Sequence, residues 1–172
     1  PDYTAIVDER HRERLARCVS DAVAKGAHAI EINPAGEDLD GTGKLAPTLL
    51  TGVDDSMLVM REEIFGAVLP LLPYRTLDDA IARVNARPRP LALYLFEHDG
   101  EAIERVLRET VSGGVTVNDT ILHVAQDDLP FGGVGPSGMG RYHGREGFDT
   151  FSQRKAVFHQ SRLNGLKLFR AP

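Results

Sequence analysis

"PLALYLFEHDGEAIERVLRETVSGGVTVN", residues 90–118, reads as strand, helix, strand. Its first seven residues form a near-continuous apolar run, the pattern of a strand covered on both sheet faces. Asp99 stands where it can cap a helix over 100–112, with Ala102, Ile103, Val106 and Leu107 on the inward side. Gly113 is expected to end that helix, and "GVTVN" is the next strand. Short apolar strands joined by a helix predict a βαβ unit with parallel pairing.

The same pattern extends upstream. In "TLDDAIARVNAR", Thr76 and Asp79 have the spacing of a capping box, and Leu77, Ala80, Ile81 and Val84 form an apolar face. "LAPTLLTGV" (45–53) and "VLPLLPY" (68–74) read as weak strands whose prolines place them at sheet edges or, for the second, at a bulge. "AHAIEI" (27–32) is a further strand. Residues 8–25 form a helix with Leu15, Cys18, Val19, Ala22 and Val23 on one face, Asp8 before it and Gly26 after it. The expected class is α/β, a mostly parallel sheet with helices on both faces.

Composition narrows the function. A net charge of −5 gives no basic field for nucleic acid or an anionic membrane. No apolar run approaches the roughly 20 residues that span a bilayer, and one cysteine leaves no internal disulfide. A soluble, cytoplasmic protein is expected. "PDYTAIVDERH" lacks an initiator Met and runs straight into a helix, as in a domain cut from a longer chain.

Candidate chemistry concentrates in "VNDTILHVAQDDLPFGGVGPSGMGRYHG", a long connection beginning at a strand's carboxyl end, where α/β sheets place their sites. Gly133, Gly135 and Gly138 match G-x-G-x-x-G, but Leu129, Pro130 and Phe131 precede them and Pro136 sits inside, so a dinucleotide fingerprint is rejected. These glycines are expected to allow positive φ and close packing. "GTGK" at 41–44 lacks the flanking residues of a phosphate loop. Cys18 lies on a buried helix face and reads as core. The six histidines show no metal spacing; His123 and His143, flanking the long loop, are the two of interest. Ser137, Ser152 and Asp119 lack a nucleophile elbow.

"MREEIFGAV", residues 60–68, sets two adjacent carboxylates in an apolar run. In extended chain neighbours point oppositely, so one of Glu62 and Glu63 is expected to face inward. An inward carboxylate needs donors. An arginine partner is the commoner solution; the two hydroxyls of a ribose are the other, with Phe65 on the same side as Glu63 to pack on a flat ring.

"EEIFGAV", "SGGVTVND", "LPFGGVGPSGMGRYHG" and "FDTFSQRKAV" together resemble, in order, the C-terminal motifs of the aldehyde dehydrogenase superfamily. The "ND…H…LPFGGVG.SGMG.YHG…F.TFS" form is most similar to the class 3 branch, which includes coniferyl and fatty aldehyde dehydrogenases. The resemblance runs from about residue 2 to about residue 158, with a tail at 159–172, and implies the C-terminal part of a catalytic domain. It implies an NAD- or NADP-dependent oxidation of an aromatic (coniferyl-type) or long-chain aldehyde to the acid, through a cysteine thiohemiacetal and thioester. The nucleophilic cysteine, the general-base glutamate and an oxyanion-hole asparagine would lie upstream, with the dinucleotide-binding domain, so no catalytic residue is expected in this chain.

By the same resemblance Glu63 binds the nicotinamide ribose, Phe65 packs beside it, and Phe131 lies near nicotinamide and substrate. Ile121, Val124 and Ala125 line the aldehyde tunnel, His143 lies close to it, and Asn118 fixes the loop's shape. Ala67 stands where the family has proline, leaving a less rigid turn. The implied partners are the missing domain, the aldehyde and further copies in a homodimer or larger oligomer, with neither membrane nor nucleic acid. A stand-alone binding or assembly module without chemistry is the competing expectation.

Overall fold

The computed structural model describes residues 3–160. The chain divides into two compact units, at Tyr74 and Arg75. In the first, helix α1 (Glu9–Ala24) is followed by strands β1 (His28–Glu31), β2 (Thr48–Thr51) and β3 (Val68–Pro70), with one 3-10 turn at Leu58–Met60. Asp8 caps α1 by accepting from the His11 N–H at 2.7 Å. Leu15, Cys18 and Ala22 form its buried stripe; Val19 is half-buried and Val23, expected inside, is exposed. Cys18 and Ala22 pack with Ala27, Leu50, Met57, Val59 and Val68 in the unit's core.

One edge assignment is corrected. β2 is the middle strand, antiparallel to β1 and parallel to β3. Pro47 precedes the strand, so its missing N–H removes no ladder bond, and its carbonyl accepts from Ile32 at 2.8 Å. Thr48 and Leu50 are buried while Leu49 and Thr51 are not, the two-residue alternation of a sheet strand. β3 does lie at an edge of this sheet among the described residues, as Pro70 requires.

The second unit contains the expected βαβ element. β4 (Ala92–Leu95) and β5 (Gly114–Val117) pair in parallel across α3 (Gly100–Glu109). Helix α2 (Leu77–Asn85) opens with both bonds of the Thr76–Asp79 capping box, and Asn85 donates to the Glu109 carbonyl of α3 at 2.8 Å. α3 ends earlier than expected: Thr110 is extended and its hydroxyl donates to the Val106 carbonyl at 2.7 Å, so Gly113 is not a helix terminator. β4 is also less covered than its apolar sequence suggests, with Tyr94 and the adjoining Phe96 exposed among the described residues. After β5 come a short 3-10 turn at Gly135–Ser137 and helix α4 (Gly144–Thr150). The architecture is mixed α/β. The tail's residues 161–172 lie outside the described residues, and no helix of the described residues is long and apolar enough to cross a membrane.

Asp21 ties α1 to the Leu58 turn by accepting the Leu58 N–H at 2.7 Å and pairing with Lys25. Those bonds, Lys25 first, hold its carboxyl below the usual range. A lowered carboxylate pKa stabilises the fold above the unfolded value of about 4 and loses that contribution as pH falls through the folded value. Asp21→Asn is therefore expected to lower the melting temperature at neutral pH, with the gap to wild type narrowing as the pH falls below the unfolded value of about 4; thermal melts from neutral to acid pH check this.

Candidate functional site

The first unit presents Glu63 and Phe65. The stretch 61–67 is irregular rather than a strand: Arg61 closes the Leu58–Met60 turn, Phe65 has φ of 45°, and β3 begins only at Val68. Neither glutamate is buried, which corrects the expectation that one points inward. Glu62 lies 4.0 Å from Arg14, a loose and half-exposed pair. The Glu63 carboxylate has no partner among the described residues, and the Phe65 ring is 80% exposed.

What holds this turn was not read from the sequence. Three consecutive carbonyls accept from the first turns of α1. Arg14 donates Nη1–H to the Glu63 carbonyl at 2.8 Å and Nη2–H to that of Ile64, and His11 Nε2 lies 2.7 Å from the Phe65 carbonyl. A carbonyl only accepts, so His11 donates through Nε2–H; its Nδ1 lies 3.4 Å from Arg14 Nη2. Bonds from a charged donor contribute about 1.5–3 kcal/mol each when shielded from water. Below the turn, Gly66 rests on Leu15, which is fully buried; a Cβ at Gly66 would meet Leu15 Cδ1 at 2.5 Å. The available sequence signal was helical spacing: positions 11 and 14 extend the stripe of Leu15, Cys18 and Ala22 toward the helix start. The carbonyls they bind carry no sequence signal.

The second unit holds Ile121, Val124, Ala125, Phe131 and His143 on the long loop. Asn118 starts it with φ of 58°, its amide donating to the Glu97 carbonyl at 2.7 Å and its side-chain oxygen accepting from the Glu97 N–H at 2.8 Å. Asn118 thus ties the start of the loop to Glu97. His123, which the sequence only marked for attention, is buried beneath the loop. Its Nδ1 is 2.8 Å from the Thr116 hydroxyl, and its ring lies beside Phe131.

Phe131 and Tyr142 exchange both backbone bonds, at 2.8 and 2.9 Å, which brings the loop back on itself. The Phe131 ring stacks on His143 at 6.0 Å between centroids, and Tyr142 packs edge-on against both. Phe131 and His143 are therefore neighbours. Ile121 is 62% exposed and Ala125 is exposed, with Val124 half-buried. Ile121 has φ of 65°, a conformation a β-branched residue rarely adopts.

The three glycines of the G-x-G-x-x-G match serve positive φ and close approach, as expected: Gly135 and Gly138 have φ of 61° and 149°, and a Cβ at Gly133 would fall 2.2 Å from the Ser137 carbonyl oxygen. Gly113 and Gly132, not singled out for this, also lie where backbone meets backbone. A Cβ at Gly113 would fall 2.3 Å from the Gly132 carbonyl oxygen and 2.4 Å from that of Leu91, and Arg141 Nη1 donates to the carbonyls of both Gly113 and Gly132. Ser137 is spent on its own turn, bonded to the Val134 N–H and carbonyl. Cys18 is 1% exposed, and burial, with Glu62 second, pushes its thiol pKa up, the opposite of what a nucleophile needs. No group of three or more His, Cys, Asp or Glu among the described residues is set to hold a metal.

The sequence matches the profile of the "Aldehyde dehydrogenase family" over residues 1–157. It is 60% identical over 162 residues to a "Probable coniferyl aldehyde dehydrogenase" of Caulobacter vibrioides, covering 93% of this chain and 33% of that protein. Among solved structures it resembles the substrate-bound state of Staphylococcus aureus AldH, with a TM-score of 0.79 and 45% identity, over 95% of this chain and 35% of that one. It also resembles a betaine aldehyde dehydrogenase double mutant of Staphylococcus aureus in complex with NAD+, with a TM-score of 0.77 and 29% identity, over 87% and 30% of the two chains. The chain spans about a third of the length of the curated relatives it matches.

Gly113→Ala is expected to cost about 1–3 kcal/mol by forcing backbone apart at Gly132, whereas Gly100→Ala, which meets open space, should cost nothing measurable. Urea unfolding of the two variants checks the contrast.

Proposed function

This chain belongs to the aldehyde dehydrogenase family, and we propose that residues 1–158 supply the C-terminal part of its catalytic domain, followed by a tail at 159–172. The whole protein, in this reading, is a cytoplasmic homo-oligomeric enzyme that oxidises an aromatic, coniferyl-type or long-chain aldehyde to the acid. The chemistry passes through a cysteine thiohemiacetal and thioester on a nucleophile outside these residues, with the general-base glutamate also elsewhere. The coniferyl-type preference is supported by the relative named for that aldehyde.

The observation that carries the reading is the exposed, unpartnered carboxylate of Glu63 beside the exposed ring of Phe65, on a turn fastened through its backbone. A carboxylate left free while its own backbone is fixed suits two hydroxyl donors of a ribose. The nicotinamide cofactor, NAD or NADP, supplies the hydride acceptor when bound. Glu63 would hold the ribose, and Phe65 and Phe131 would pack beside the sugar and the ring. Ile121, Val124 and Ala125 would line the aldehyde path, and His143, stacked on Phe131, would border it. None of these residues makes or breaks a bond in the reaction; their contribution is orientation, for which several kcal/mol of barrier is available.

In the whole protein, Glu63→Gln is expected to slow single-turnover NADH formation by about tenfold while the aldehyde KM changes little. Unchanged hydride transfer would refute the assignment. The 172-residue polypeptide by itself is expected to produce no NADH from NAD and aldehyde. Turnover by it would overturn the placement of the nucleophile elsewhere.

A further inference from the structure

The turn carrying Glu63 and Phe65 has an unusual support. In a strand, successive carbonyls point to opposite sides and are taken by neighbouring strands. Here the carbonyls of residues 63, 64 and 65 accept from side chains of one helix face instead. The guanidinium spans two adjacent peptide groups with separate N–H donors, which fixes the orientation of the Glu63–Ile64 segment as one contact could not. His11, one helical turn earlier, fixes the Phe65 carbonyl, and the Arg14–His11 contact ties the two donors together. Leu15 sets the depth of the turn through Gly66. Arg14 is about a quarter exposed, so water competes only partly for its donors.

We infer that His11 and Arg14 are positioning residues, which set where the Glu63 carboxylate and the Phe65 ring stand for the nicotinamide ribose by clamping the backbone between them. This rests on the reading of Glu63 as the ribose-binding group. With the clamp gone, three carbonyls on an exposed turn would turn to solvent, and Phe65, held at φ of 45°, would be free to relax.

The test uses the whole protein carrying Arg14→Met, His11→Ala, His11→Gln and Glu63→Gln, alone and with Arg14→Met combined with Glu63→Gln. Two readouts are independent of turnover: hydrogen–deuterium exchange over residues 61–68 without cofactor, and NADH affinity by fluorescence titration. Arg14→Met and His11→Ala should each speed exchange over 61–68 and weaken NADH binding, Arg14→Met by about tenfold. His11→Gln, whose amide N–H can replace Nε2–H, should restore much of both. In the double variant the two losses of affinity should add incompletely, because Arg14 acts in part through Glu63.

Faster exchange with unchanged NADH affinity, or fully additive losses, would overturn the positioning role while leaving the Glu63 reading intact. Unchanged NADH affinity in Glu63→Gln itself would overturn the reading and this inference with it. If Arg14→Met fails to fold, the His11 pair decides: unaltered exchange and affinity in His11→Ala would overturn the inference.

Discussion

Three adjacent carbonyls turned onto a single helix face are the constraint on which the first unit's site depends. They draw the 62–66 segment down against α1, with Ile64 packed on the core and the side chains of Glu62, Glu63 and Phe65 left outside. That division explains how two glutamates can sit in an apolar stretch without burial cost. The backbone is satisfied by Arg14 and His11, Glu62 stands near Arg14, and the Glu63 carboxylate has no partner among the described residues. The capped and close-packed start of α1 is therefore part of the site's construction. Leu15 meets the segment at Gly66, and Asp8 caps the helix at the His11 N–H.

The second unit solves a similar problem with other means. A loop of some length must hold Phe131 and His143 side by side. It is pinned at its start by Asn118 and Glu97, from beneath by His123 and Thr116, and at its end by the Phe131–Tyr142 bridge. Glycines at 113 and 132 permit backbone to lie on backbone, and Arg141 bonds both carbonyls at that crossing. The rings between these anchors form a connected aromatic cluster, and Ile121 and Ala125 remain exposed beside it in the chain.

Much of this was legible because local chemistry announces itself. The caps at Asp8, Thr76 and Asp99 and the βαβ element followed from spacing alone. The loop glycines were recognisable as shape-setting residues because few other residues suit those conformations, and Asn118 through the resemblance. The failures have physical causes. Pro47 suggested an edge, yet a proline just before a strand leaves the ladder whole. Thr110 ended α3 ahead of Gly113 by bonding its own helix. The period-two reading of Glu62 and Glu63 assumed a regular strand, whereas the stretch is irregular and its carbonyls are held by side-chain donors some 50 positions earlier in sequence. Bonds to backbone carbonyls leave no mark on the residues that accept them, so such a clamp is seen only in three dimensions.

The most direct measurement is a crystal structure of the whole protein with a nicotinamide dinucleotide bound. The account predicts the Glu63 carboxylate at hydrogen-bond distance, about 2.6–3.2 Å, from both hydroxyls of the nicotinamide ribose, with the 62–66 turn still bonded to Arg14 and His11. A carboxylate directed away from that sugar, with the hydroxyls held by other groups, would contradict it.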